Sequence, residues 1–146
     1  MALAVIGKVI LDTNVFVDYL RTGAHAQWVW ASHRRLVRFL SAVVLLELRL
    51  GADTPRRMRA VDRILAAFPA HRLITPTPAQ YDRAGRLFRR LHGAGSGVHD
   101  RLAPMNDILI ALTAWSMGAT VVTANHMEFQ RIARHLPGLS LTQPQS

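Results

Sequence analysis

Short apolar runs alternate along the chain with longer stretches in which apolar residues recur every three or four positions, as strands and helices require. The predicted strands are Val9 to Leu11, Arg38 to Ser41, Leu73 to Thr75, Ala119 to Thr123 and Leu139 to Leu141. The predicted helices are Asn14 to Leu20, a segment within Ala26 to Leu36, Val43 to Leu50 with Gly51 as its stop, Pro55 to Phe68, Pro78 to Leu91, Met105 to Met117 closed by Gly118, and Met127 to Leu136. The Gly-rich stretch Gly93 to Pro104 is predicted to be a loop. This order indicates an α/β fold with a mainly parallel sheet, whose functional crevice lies at the carboxyl ends of the strands.

The length and composition narrow the class of protein. A chain of 146 residues suits one compact domain over residues 1–146, and an apolar content of 50% excludes a disordered chain. The apolar start, Met1 to Ile10, lacks the charge order of a signal peptide, and no apolar run reaches the roughly 18 residues of a membrane span. We therefore expect a cytoplasmic protein without a membrane association. The absence of cysteine excludes disulfides, thiolate metal sites and cysteine nucleophiles.

The chain is strongly basic, with a formal charge of +9, and Lys8 is its only lysine. Arginine binds phosphate through a planar fork, so nucleic acid is the first candidate partner and an acidic protein the second. A soluble surface in an arginine-favouring composition is the simpler alternative. The cluster Arg34, Arg35 and Arg38 has the same two interpretations, since a solvated helix face also explains it.

Three of the nine acidic residues lie in apolar surroundings. Asp12 directly follows the first predicted strand, Glu47 lies within an apolar helix, and Asp107 is predicted in the first turn of another. A buried carboxylate is costly unless it is paired or binds a metal, and several together favour a divalent cation. Oxygen ligands suit Mg²⁺ or Mn²⁺, which can activate water for attack on a phosphodiester. The residues thus indicate a metal site suited to cutting nucleic acid.

Each acid also has a structural explanation. Asp12 can be the N-cap of the following helix, and Asp107 can be a first-turn acid favoured by the helix dipole. Glu47 can pair with Arg49 or Arg34. Spacing alone does not bring the three side chains together.

Four segments stand in order along the chain: Ile10-Leu11-Asp12-Thr13-Asn14-Val15, Phe39-Leu40-Ser41-Ala42 with Glu47-Leu48 and Gly51, Asp107-Ile108-Leu109-Ile110-Ala111, and Val121-Val122-Thr123-Ala124-Asn125 with Phe129. They resemble the motifs of the PIN-domain family. The stretch Ala84 to Leu91, before the Gly-rich loop, also resembles its VapC-like branch, the toxin ribonucleases of type II toxin–antitoxin systems. The resemblance extends over nearly the whole chain. It implies a PIN-like three-layer sandwich, a central sheet of four to five strands flanked by helices.

The resemblance also implies the site. Asp12, Glu47 and Asp107 would be the catalytic, metal-binding carboxylates for Mg²⁺ or Mn²⁺. Thr13, Asn14, Thr123 and Asn125 would form the polar rim, and Arg101, in the predicted loop before Asp107, is the arginine best placed for substrate. Many family members carry aspartate at the position of Asn125, which puts a second metal in doubt. Glu128 could replace that acid, although a solvated helix acid is the simpler interpretation.

The implied activity is metal-dependent endoribonuclease cleavage of RNA, leaving a 5′-phosphate and a 3′-hydroxyl. The implied partners are an RNA substrate, a VapB-like antitoxin and a second copy of the chain. We place the antitoxin on the apolar surface of the predicted helices within Ala26 to Leu36 and Val43 to Leu50. The alternative is an inactive PIN-like module that binds RNA or a partner, for which Asn125 is the motive.

Two other classes begin with a strand that ends in aspartate. Haloacid-dehalogenase-type phosphoryl transfer needs a second aspartate two residues later, where this chain has Asn14. A receiver-like signalling domain needs a late lysine, and Lys8 is early. Both are therefore disfavoured. A purely structural protein gives no reason for acids within apolar runs.

Overall fold

The structure is a computed structural model that describes residues 7–30, 35–93 and 102–144. Five parallel strands form one sheet in the order β3-β2-β1-β4-β5. The strands are β1 (Gly7–Leu11), β2 (Leu36–Ser41), β3 (Leu73–Ile74), β4 (Thr120–Val122) and β5 (Ser140–Thr142). The predicted α/β class and strand number are confirmed, and the sheet is wholly parallel.

In the described part of the chain, seven α-helices and one 3-10 turn connect these strands. They are α1 (Thr13–Thr22), α2 (Ala26–Val29), α3 (Ala42–Gly51), α4 (Pro55–Ala66), the 3-10 turn Ala70–Arg72, α5 (Pro78–His92), α6 (Leu102–Ser116) and α7 (His126–Ala133). Gly118 follows α6 with φ 68°, a left-handed conformation that favours glycine, as the sequence predicts. No helix within the described ranges has the length and apolar character needed to cross a membrane.

Four sequence predictions need correction. The helix predicted within Ala26 to Leu36 ends at Val29. Leu36 instead begins β2, so it belongs to the sheet and not to a helix. Helix α6 begins at Leu102, so the end of the predicted loop Gly93 to Pro104 is helical, and residues 94–101 lie outside the described ranges. Asp107 therefore lies beyond the first turn of α6. Helix α3 includes Gly51 and is capped by Ala52.

The strand order reverses direction along the sheet between β1 and β4. From β1 the chain adds β2 and β3 on one side, and it then returns to add β4 and β5 on the other. Such a switch point opens a crevice at the carboxyl ends of the two central strands. The backbone N–H of Asp12 donates to the Val122 carbonyl at 2.9 Å, so the residues that follow β1 and β4 meet there.

The most apolar helix, α6, packs against β1, β4, α3, α5 and α7. Two leucines of α6 differ sharply in exposure, since Leu112 is 1% exposed and Leu102, at the start of the helix, is 58% exposed.

We expect Leu112→Ala to lower the free energy of unfolding by about 2–5 kcal/mol, because it removes buried methyl groups and leaves a cavity. The same change at exposed Leu102 should stay within about 0.5 kcal/mol. Urea unfolding of both variants measures the difference. Equal losses would contradict the position of α6 in the core.

Candidate metal centre

Asp12 lies at the switch point, and each of its carboxylate oxygens is hydrogen-bonded. Oδ1 accepts from the backbone N–H of Thr13 at 2.8 Å, which caps α1. Oδ2 accepts from Thr123 Oγ1 at 2.8 Å and from Asn14 Nδ2 at 3.1 Å. Asp12 is thus both a helix cap and a member of a polar cluster at the sheet edge.

Thr123 connects the polar residues that follow β4 to those that follow β1. Its side chain is fully buried, and its Oγ1 accepts from the backbone N–H of Asn125 at 2.9 Å. Asn14 bridges back, because its Oδ1 accepts from the backbone N–H of Ala124 at 3.2 Å. The structure therefore brings these predicted rim residues together around Asp12.

Glu47 reaches the same cluster from α3. Thr13 Oγ1 donates to Glu47 Oε1 at 2.6 Å, which joins α3 to the start of α1. The pairing of Glu47 with Arg49 is wrong, since Arg49 instead pairs with Asp62 at 2.6 Å. The other alternative, Arg34, lies outside the described residues.

Asp107 adds a third carboxylate to this cluster by electrostatic proximity. Burial, and after it the charges of Asp12, Glu47 and Glu128 in that order, raise the pKa of Asp107 from 3.8 to about 8. Burial also raises the pKa of Asp12; the Thr123 and Thr13 hydrogen bonds oppose this rise, and Glu47 adds to it. The three predicted acids therefore interact in the folded protein.

Glu128 is the acid whose part in the site the sequence understates. Its side chain is only 22% exposed, and its charge acts on Asp107 from the first turn of α7. The interpretation as a solvated helix acid is therefore wrong. The cue in the sequence is its place directly before Phe129, a fully buried residue that fixes the rotation of α7.

The remaining predicted residues differ in position. Asn125 is exposed at the start of α7, and its side chain makes no capping hydrogen bond. Arg101 lies outside the described residues. Arg38 is buried in β2, where it donates to the Val29 carbonyl and its Cζ lies 4.2 Å from the Phe68 ring centroid. Its place in a solvated arginine cluster is wrong.

The donor chemistry of this centre suits a hard divalent cation. Like charges in a poorly solvated place repel, and oxygen ligands favour Mg²⁺ or Mn²⁺. Within the described residues, no three histidine or acidic side chains already stand close enough together to hold an ion. Direct binding of one ion by all three carboxylates would therefore require them to move closer together, whereas an ion held partly through water needs fewer of them.

Comparison with known proteins identifies the family to which this arrangement corresponds. The model of the PIN domain matches residues 9–135, which span all four acidic residues described above. The chain belongs to the PIN domain family. No curated protein matches it.

Solved structures show the same fold as this PIN domain. DNA-bound VapBC from Salmonella typhimurium matches with a TM-score of 0.68 and 23% identity, covering 94% of this chain and 98% of that one. VapBC2 from Rickettsia felis, bound to a promoter DNA fragment, has a TM-score of 0.65 and 22% identity, covering 93% and 98%. FitAcB from Neisseria gonorrhoeae has a TM-score of 0.62 and 26% identity, covering 93% and 97%. The predicted PIN-like fold is confirmed, and these VapBC and FitAcB structures share it.

The raised pKa of Asp107 predicts a pH-dependent stability when divalent ions are chelated. Its pKa rises from 3.8 to about 8, so the folded chain binds this proton more tightly than the unfolded chain. The free energy of unfolding should therefore fall as pH rises from about 4 to about 8. Asp107→Asn should reduce this slope and be more stable than the wild type at pH 8.

Urea unfolding in EDTA at several pH values measures this effect. Asp12 contributes a slope of the same sign, so Asp107→Asn should retain part of it. The matched control is Asp82→Asn on α5, an exposed position that should keep the wild-type slope. A slope that Asp107→Asn leaves unchanged would contradict the burial of that acid.

Proposed function

We propose that this PIN domain is a cytoplasmic endoribonuclease, dependent on Mg²⁺ or Mn²⁺, and the toxin of a toxin–antitoxin pair. The observation that carries the proposal is the electrostatic coupling of Asp107 to Asp12, Glu47 and Glu128 at the switch point. A chain of charge +9 with an acidic centre attracts a polyanion to a place that favours cations.

Different residues of the chain would have different roles in such a site. Asp12, Glu47 and Asp107 would hold the ion, and Glu128 adds negative charge beside them. A bound ion would lower the pKa of a water molecule and offset charge on the phosphodiester. Thr123, Asn14 and Thr13 fix two of the carboxylates through the hydrogen bonds described above. Such supporting contacts set the orientation of ligands before substrate arrives.

We expect purified wild-type chain to cut labelled structured RNA with Mg²⁺ or Mn²⁺ and to stop in EDTA. Asp107→Asn should slow cleavage by at least about 100-fold, because it removes one ion-binding carboxylate. Asp82→Asn, which also removes one acidic charge, should cut like the wild type. Product ends should be 5′-phosphate and 3′-hydroxyl.

Two outcomes would contradict the nuclease. Cleavage that survives both EDTA and Asp107→Asn would indicate a contaminant or another mechanism. RNA binding without any cleavage would favour the inactive binding module, for which the neutral, exposed Asn125 is the supporting observation.

A groove beside the acidic centre supports an antitoxin partner. It has a volume of about 870 Å³, lies among α1, α3 and α4, and includes Glu47 in its wall. Apolar residues such as Val17, Leu48 and Val61 line it together with arginines. The arginines are Arg21, Arg56 and Arg57. The chemistry fits an acidic amphipathic segment, as expected of a VapB-like antitoxin. This location keeps α3 from the surface expected from the sequence, and it takes α1 and α4 in place of the short helix Ala26–Val29.

We expect Ala60→Glu, which places bulk and negative charge in this groove, to weaken antitoxin binding at least about 10-fold. Met58→Glu is the control, since it is exposed on the same helix outside the groove. Titration calorimetry measures the affinity of each variant for a purified VapB-like antitoxin. Equal binding by both variants would place the partner elsewhere.

We also propose that the chain forms a homodimer. Size-exclusion chromatography with light scattering gives the mass of the purified chain without its partner, and a monomeric mass would contradict the homodimer.

A further inference from the structure

Two side chains lie beside Glu128 where the start of α7 meets the end of α5. Glu128 Oε2 accepts from Arg131 Nη1 at 3.2 Å, within one turn of the same helix. Its other oxygen, Oε1, lies 3.8 Å from Nε2 of His92, the last residue of α5. Arg131 also donates through Nη2 to the carbonyl of Leu91 at 3.4 Å. Arg131 therefore links α7 to the end of α5 beside the carboxylate of Glu128.

His92 Nε2 and Glu128 Oε1 face each other across this junction. Both atoms are buried, and neither has a hydrogen-bond partner in the described structure. A separation of 3.8 Å is too long for a hydrogen bond, yet a small rotation of either side chain would close it. Burying unpaired polar atoms costs free energy, so that closure is favoured. The His92 ring is held by Phe88, whose ring centroid is 4.8 Å away. Glu128 is thus the side chain that moves.

The same carboxylate acts on the acidic centre. Its charge is felt by Asp107, and its side chain is largely withdrawn from water, so its orientation alters the field inside the centre. Arg131 fixes only one of its oxygens. His92 lies within reach of the other oxygen.

We propose that His92 is a positioning residue that, together with Arg131, holds the Glu128 carboxylate toward Asp107 and so sets the cation affinity of the acidic centre. This inference rests on the proposed metal-dependent function. It also gives the end of α5 a role in assembling a site whose other members follow β1 and β4 or lie on α3 and α6.

The test is Mn²⁺ binding by the full chain, measured by calorimetry, with thermal unfolding recorded in parallel. His92→Leu keeps the bulk but removes the donor, and it should weaken Mn²⁺ binding about 10-fold. His92→Gln should recover most of this loss, because its amide N–H can donate in place of Nε2. His71→Leu, at an exposed position on the 3-10 turn, should bind Mn²⁺ like the wild type.

A double-mutant cycle separates positioning from general stability. In a Glu128→Gln background, His92→Leu should cause no further loss of Mn²⁺ affinity, because the carboxylate that it orients is gone. Arg131→Gln should weaken binding in the same direction, whereas Arg134→Gln, an equal charge change at an exposed position one turn later, should not. If His92→Leu unfolds the chain, His92→Gln and the arginine pair decide the question.

The outcomes distinguish this inference from the proposed function. Wild-type chain that binds Mn²⁺ and cuts RNA, with His92→Leu binding equally well, would overturn only the role of His92. An equal loss from His92→Leu with and without Glu128 would also overturn it. Wild-type chain that neither binds Mn²⁺ nor cuts RNA would overturn both.

Discussion

The buried carboxylate of Asp12 and its hydrogen bonds to residues that follow two different strands are the contacts on which the site depends. An aspartate that is 4% exposed can stay ionised only if its oxygens find donors, and the donors come from Thr13, Asn14 and Thr123. Because Thr123 follows β4 and Asp12 follows β1, the hydrogen bond forms only when these strands pair in register. The same contact joins the carboxyl ends of β1 and β4 and orients the carboxylate of Asp12.

The acidic side chains around this contact repel one another, and their repulsion opposes folding. Asp107 lies near three other acids in a partly buried place, which raises its pKa to about 8. A core of apolar helix and strand residues, with α6 at its centre, supplies the stability that this repulsion reduces. A bound divalent cation would instead raise the stability of the fold, because its attraction to the carboxylates would offset their mutual repulsion. In the absence of a cation, the acidic cluster thus lowers the stability of the fold.

Charge is organised on two length scales. Over the whole molecule the arginines dominate, and their field attracts a polyanion at long range. At the switch point the acids dominate over a few ångströms, where burial makes their interactions strong. The groove with Arg21, Arg56 and Arg57 reaches Glu47, so the two regions adjoin. A partner that binds this groove would lie next to the acidic centre.

The sequence by itself determined the strands and most helices, and it singled out Asp12, Glu47 and Asp107 as candidate site residues, because periodicity and an acid within an apolar run are local signals. It could not determine which side chains meet. The rotation of α7 that turns Glu128 inward depends on the packing of Phe129, and the burial of Arg38 depends on Val29 and Phe68. The start of α6, which moves Asp107 beyond the first turn, and the groove beside Glu47 likewise arise from packing between distant elements. Contacts of that kind exist only once the sheet has brought its strand ends together.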